Sequence, residues 1–402
     1  MKNLLTIAVA IMLAAAVGAQ ASQKIITFEP SNKAEVVGNI EELGGKVTRT
    51  FTLINSLVAV FPDSTKDATI YSLKGVSDVE EDKYIRWIEA APASMNAVPL
   101  PSLDRAMKLI GSGAGWSAPV YTAIKPDLDP AQKEIPWGVM RVNAPAAWDY
   151  TAGKGVKVAV IDTGIDYTHP DLAANYKGGY NAVDPAAAPL DDQGHGTHVA
   201  GTIAGVKNLA GVAGVAPAAD LYAVKVLDKN GSGQYSWIMA GIEWAVQNKM
   251  HVINMSLGGG GYMEAMHNVI KAAKAAGVTI VCAAGNDSGA VNYPAKYPES
   301  IAVSASDSSD KIASFSSRGP ELALIAPGVN IYSTRKGGGY HNLSGTSMAC
   351  PHAAGLAALA VGAGAKGPDA VRAALTGAAR KLPGLGANDQ GAGLVDAFKL
   401  VR

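Results

Sequence analysis

The sequence predicts an α/β domain of three layers, with a central, mostly parallel sheet between helices, preceded by a small α+β unit. Two observations predict the larger part. Near-continuous apolar runs at 156–161, 221–227, 251–257 and 278–283 alternate with helix-like segments near 195–205, 233–248, 261–276, 346–362 and 368–379. Strands buried on both faces and separated by helices belong to a parallel sheet covered on each side. A third observation, an abrupt change of composition over 91–130, sets the smaller part apart from the larger.

Taken in order, Lys2 precedes an apolar run from Leu4 to Val17, and Ala19-Gln20-Ala21 offers small residues in an A-x-A arrangement. This is the layout of a secretory signal peptide over 1–21, and the run falls short of the roughly 20 residues that cross a bilayer. Residues 22–90 form the small unit. Lys24–Phe28, Lys46–Phe51 and Leu57–Phe61 read as strands, helix-capable stretches end at Gly44-Gly45 and Lys74-Gly75, and 76–88 closes the sheet. The resulting βαββαβ order predicts a ferredoxin-like α+β fold. Residues 91–130, rich in Pro, Ala, Gly and Ser, read as a linker, and 131–402 as the large domain.

Composition excludes more than it names. Of 402 residues, 48% are hydrophobic and 17% charged, enough apolar surface for a large core. Lys plus Arg and Asp plus Glu number 34 each, so net charge argues for neither nucleic acid nor an anionic membrane as partner. Cys282 and Cys350, in apolar small-residue surroundings, read as buried free thiols.

Three residues carry the chemistry. Asp162 directly follows the apolar run 156–161, at the strand end where α/β sheets collect active-site groups. His195 stands between Gly194 and Gly196, and Ser347 opens a small-residue helix at Gly345-Thr346-Ser347-Met348-Ala349. A serine hydroxyl is a weak nucleophile until an imidazole takes its proton, and a carboxylate must hold that imidazole in the right tautomer. An α/β-hydrolase esterase would need G-x-S-x-G and the order Ser, Asp, His. Here the serine comes last, and Ala349 replaces the final glycine.

The blocks Ile161-Asp162-Thr163-Gly164, His195-Gly196-Thr197-His198-Val199-Ala200-Gly201-Thr202 and Gly345-Thr346-Ser347-Met348-Ala349 resemble the three signatures of the subtilase family, in its Asp, His, Ser order. The resemblance implies a subtilisin-like fold and a secreted serine endopeptidase acting through an acyl-enzyme; the alternative in the same fold is a catalytically silent binding protein. It makes Asn286 the oxyanion-hole side chain. Gly231, Gly233, Ser256 and Gly258 become edges that pair with an extended polypeptide substrate. Gly285 and Asn292 line the pocket before the cleaved bond, and Tyr235, Ile238 and Leu257 an apolar pocket upstream. A structural Ca²⁺ is implied on the side chains of Asp171 and Asn208 and the carbonyls of Val206, Ala210 and Val212. Lys133 stands in the slot of the family's N-terminal ligand, with Gln132 beside it. Residues 22–90 resemble the family's inhibitor-type propeptide through Leu43-Gly44-Gly45-Lys46-Val47 and Val76-Ser77-Asp78-Val79-Glu80-Glu81-Asp82. That implies a monomeric zymogen whose own leader is chaperone and inhibitor, cut somewhere between Glu89 and Glu134.

Overall fold

The computed structural model describes residues 22–88 and 134–402, so the signal-peptide and linker expectations lie outside the described residues. The chain divides into two compact units, 22–50 with 55–82, and 51–54 with 83–88 and 134–402.

In the first unit the strands are β1 (Ser22–Phe28), β2 (Lys46–Thr50), β3 (Ser56–Phe61) and β4 (Val76–Glu81), with helices Lys33–Glu42 after β1 and Asp67–Tyr71 after β3. They form one antiparallel sheet in the order β2-β3-β1-β4. Ile26, Phe28, Leu57, Ala59 and Phe61 meet Val36, Ile40 and Ile70 from the helices in a single core. The run 76–88 does not all join this sheet. It breaks after Glu81, and β5 (Tyr84–Arg86) pairs instead with β9 (Ser232–Gln234) in the second unit. Tyr84 and Arg86 are exposed on either side of a half-buried Ile85, a pattern that suits an edge strand.

The second unit is built on seven parallel strands: β6 (Lys157–Asp162), β7 (Tyr176–Asn181), β8 (Asp220–Lys225), β10 (Val252–Met255), β11 (Thr279–Ala283), β12 (Ile301–Ser306) and β13 (Leu322–Pro327). Their order is β13-β12-β11-β10-β6-β8-β7, every neighbouring pair parallel. Helices cover both faces, which makes the three layers. Val158 and Val160 of β6 pack with Val199 and Ile203 of helix His195–Ala204 and with Met348 and Leu356 of helix Thr346–Gly362. Ile161 points the other way, toward Gly241 of helix Tyr235–Gln247, where an added Cβ would lie 3.6 Å from the Ile161 side chain. From β6 the chain builds outward through β8 and β7 on one side, and through β10 to β13 on the other. The topological switch therefore falls at β6 and β10, and crevices at carboxyl ends of strands open at such points. Asp162 is the last residue of β6, and Ser256 directly follows β10. No helix among the described residues is long and apolar enough to cross a membrane.

Candidate active site

The carboxylate and the imidazole meet where the sequence places them. His195 opens its helix, and its Nδ1 lies 2.9 and 3.0 Å from the two carboxylate oxygens of Asp162. Asp162 is fully buried and His195 is nearly so. Gly196 makes the approach possible: a Cβ there would sit 2.1 Å from the carbonyl oxygen of Gly164 and 3.2 Å from Asp162. Burial pushes the His195 imidazole toward neutrality, but the charge and hydrogen bond of Asp162, with Asp191 adding charge, outweigh it. The net direction is upward from the ordinary histidine value.

Asp191, not singled out in the sequence, fixes the loop that carries His195. One of its oxygens accepts from Thr163 Oγ1 (2.9 Å) and the amides of Gln193 (3.0 Å) and Gly194 (2.8 Å). The other accepts from the amide (2.9 Å) and hydroxyl (2.6 Å) of Thr197. Thr163 Oγ1 in turn accepts from the Gly196 amide at 3.0 Å, so the end of β6 and the start of the helix are tied through one carboxylate. A legible signal existed: an acid four residues before His195, in a stretch of turn formers.

Ser347 is the second residue of helix Thr346–Gly362 and lines one cavity with His195, Asn286 and Met348. Its Oγ donates to the Ser256 carbonyl at 3.0 Å, and His195 Nε2 has no hydrogen-bond partner among the described residues. The three groups are thus gathered, while the hydroxyl points at β10's end and the row from Asp162 to Ser347 is open at its last link. Hydroxyl rotation about χ1 is the motion that would close it. Asn286 Oδ1 accepts from the amide (2.8 Å) and hydroxyl (3.0 Å) of Thr346, which leaves the Nδ2 donors for a ligand beside Ser347.

Other expected site residues also assemble. Leu257, Gly258, Gly285, Asn286 and Asn292 line one cavity with Ser347. Gly285, at φ +119°, admits no side chain, since a Cβ would lie 2.4 Å from Asn292 Nδ2. Tyr235, Ile238 and Leu257 line a second, apolar cavity. Trp87 reaches both, a residue the sequence reading missed because nothing local marks it. It belongs to a segment of the chain that lies along the expected substrate edges. Ile85 pairs with Gly233, the amides of Trp87 and Ile88 donate to the Gly231 carbonyl (3.0 and 3.3 Å), and the Gly258 amide donates to the Trp87 carbonyl at 3.0 Å. The Trp87 indole donates to the Gly233 carbonyl at 2.9 Å and packs edge-on against Tyr235.

Two buried histidines outside the pair are held toward the neutral form. Burial first, then neighbouring His341 and His195, push His198 down to about 3. Burial takes His352 down to about 4. Cys282 and Cys350 are both buried and free.

Four of the expected cation ligands, Val206, Asn208, Ala210 and Val212, sit in one loop, which Asp171 meets from the helix Pro170–Ala173. The Asp171 carboxylate, 1% exposed, accepts from the Val212 amide (2.8 Å) and Asn208 Nδ2 (3.3 Å), and it faces no Lys, Arg or His among the described ion pairs. Among the described residues no hydrogen bond reaches the carbonyls of Val206, Ala210 or Val212. Lys133 and Gln132 lie outside the described residues; the next residue, Glu134, is 3% exposed and is the one that grips this loop. Its carboxylate accepts from the amides of Asn208 and Leu209, and its carbonyl from the Ala213 amide at 2.7 Å.

Residues 153–393 match the Subtilase family, peptidase S8. The chain is 42% identical over 368 residues to subtilisin amylosacchariticus of Bacillus subtilis subsp. amylosacchariticus, covering 88% of this chain and 84% of that one. Subtilisin E of Bacillus subtilis (strain 168) gives the same identity and coverage. Subtilisin of Bacillus pumilus is 54% identical over 235 residues, covering 56% of this chain and 84% of its own length. With its parallel sheet, its crevice at the switch point and these relatives, the chain belongs to the subtilase family and is a serine endopeptidase of subtilisin-like fold.

Proposed function

We propose that the enzyme cleaves polypeptides through an acyl-enzyme, with Asp162, His195 and Ser347 as triad and Asn286 as oxyanion donor. The observation that carries this is the doubly contacted Asp162–His195 pair on a cavity shared with Ser347. Ser347 turns from the Ser256 carbonyl to His195 Nε2 and loses its proton there as its oxygen attacks the carbonyl carbon. Asp162 holds Nδ1–H and stabilises the imidazolium. The oxyanion forms beside Asn286 Nδ2 and the Ser347 amide. His195 then returns the proton to the leaving amine, and a water repeats the sequence on the acyl-enzyme.

The chain is a self-processing, secreted preproenzyme, monomeric, with residues 22–90 as chaperone and inhibitor. The support is the strand 84–88 lying along Gly231–Gln234 and Gly258, where main-chain pairing would hold a substrate. Ca²⁺ binds the 206–212 loop through Asp171, Asn208 and the carbonyls of Val206, Ala210 and Val212. The buried carboxylate without a cationic partner and the unbonded carbonyls fit a hard cation. When bound, it would hold these oxygens together and stabilise the loop.

A fluorophosphonate should label the secreted wild type and not Ser347→Ala. Intact mass and N-terminal sequencing of both should show the leader removed only from the wild type. Absence of labelling in a folded wild type favours the silent-fold alternative, and a leader kept by both proteins rejects self-processing.

A further inference from the structure

The cavity shared by His195 and Ser347 extends past the nucleophile. β15 (Tyr340–Leu343), which pairs with β14 (Ile331–Thr334), alternates its side chains, so His341 and Leu343 share a face, and both line this cavity with Met348 and Gln193. Its volume is about 260 Å³. The segment 84–88 approaches Ser347 along Gly231–Gln234, and Ile88 is its last residue on the cavity wall. A substrate on that path carries its acyl side over Gly231 and Gly258, so whatever follows the cleaved bond enters the part lined by His341, Leu343 and Met348.

His341 has a feature that packing does not require. Its Nε2 is buried and has no hydrogen-bond partner among the described residues. A buried polar nitrogen left unpaired is costly; His198 Nδ1 and His352 Nε2 share that state inside the core, whereas His341 lines the cavity. The charges nearby are positive. Arg335 is exposed, in no ion pair among the described residues, and close enough to lower the basicity of His341 after burial has done so. Lys336 donates from Nζ to the Asp192 carbonyl at 3.1 Å on the same rim, and the Asp192 carboxylate is already neutralised by Lys225 at 2.6 Å.

We infer that His341, with Arg335 on the same β14–β15 hairpin, selects substrates bearing a carboxylate side chain just after the cleaved bond. His341 acts here as a specificity residue; the inference rests on the triad reading and adds the preferred substrate to it.

The test uses the mature secreted enzyme and internally quenched peptides with one acyl-side sequence and Glu, Gln, Leu or Lys at the first two positions after the bond. The expected order in kcat/KM is Glu above Gln above Lys, with a Glu-to-Lys ratio of about 10, the scale of one charge-assisted hydrogen bond. The ratio should fall to near 1 in His341→Ala and to an intermediate value in Arg335→Gln. Because the readout is a ratio, it tolerates a change in overall rate. Should His341→Ala not fold, His341→Gln takes its place with the same expected fall. Equal cutting of all four peptides by the wild type overturns the inference alone, as does a ratio that survives every substitution at His341. A folded wild type that cuts none of them overturns the triad reading as well.

Discussion

The two ends of helix His195–Ala204 do different work with the same means. At its N-terminus, Asp162 holds the His195 imidazole, and Asp191 holds the amides and hydroxyls of the segment around it. Past its C-terminus, Asp171 and Glu134 hold backbone amides and an amide side chain of the loop 206–212, and Asp171 also the Tyr340 hydroxyl. At each end buried carboxylates accept from backbone amides, those of the helix's first turn and its lead-in at the first and those of the following loop at the second. The difference is the partner: an imidazole turns the first end into chemistry, and neutral donors leave the second as scaffold. One turn along the helix, His198 makes the contrast sharper. It faces the carbonyls of Ile331 and His341 in place of a carboxylate, and burial there drives it to about 3, so it stays neutral throughout the working range.

The comparison breaks if damage at the two ends is interchangeable. The largest separation is expected from Ser347→Ala, which should lower kcat about 10⁶-fold, the loss measured for a subtilisin nucleophile, with its melting temperature nearly unchanged. Asp162→Asn should cost about 10⁴-fold in kcat, since the amide presents the wrong partner to Nδ1–H. Asn286→Ala should cost about 10²–10³-fold, the range measured for the corresponding subtilisin group. Single-turnover acylation rates on one ester substrate would order all three, and an active Asp162→Asn would remove the triad assignment.

At the other end the signs reverse. Glu134→Gln, or removal of divalent ions with a chelator, should lower the melting temperature by several degrees, a loss on the order of 1.5–3 kcal/mol for hydrogen bonds to a buried charge. At low temperature kcat/KM should stay within about twofold, because neither change touches the cleft. A chelator that leaves the scanning-calorimetry transition unmoved argues against Ca²⁺.

The smallest expected effect is on pH dependence. His195 must be neutral to accept a proton, and its pKa is raised by Asp162 and Asp191. The acid limb of kcat/KM therefore lies above the ordinary histidine value of about 6.5, with activity growing as pH rises through it. Asp191→Asn removes one of the two charges and should move that limb down. An upward shift would contradict the electrostatic reading.

How much of this was legible before folding depended on the range of the interaction. The apolar runs at 156–161, 251–257 and 278–283 fall on β6, β10 and β11, because a strand buried on both faces must be apolar throughout. The strands Tyr176–Asn181 and Ile301–Ser306 were not legible, whereas Leu322–Pro327, apolar throughout, carried the same signal as β6 and was missed. β7 is an edge rich in glycine and tyrosine, and Ala-Ser repeats in β12 carry no period. Segment 84–88 misled for a related reason: its strand character is local, while its partner, β9, lies some 150 residues away.

By itself the sequence determined the chemistry that three residue types in glycine-framed blocks can perform, since Gly196 and Gly285 stand where no side chain fits and so mark close approaches in advance. Only the tertiary structure decided which carboxylate meets which donor. Asp162, Asp171, Asp191 and Glu134 are alike in composition, yet one faces an imidazole and the others face amides and hydroxyls. The reason is physical: a buried charge takes its role from groups brought within about 3 Å by distant strands and helices, and no local pattern encodes that distance.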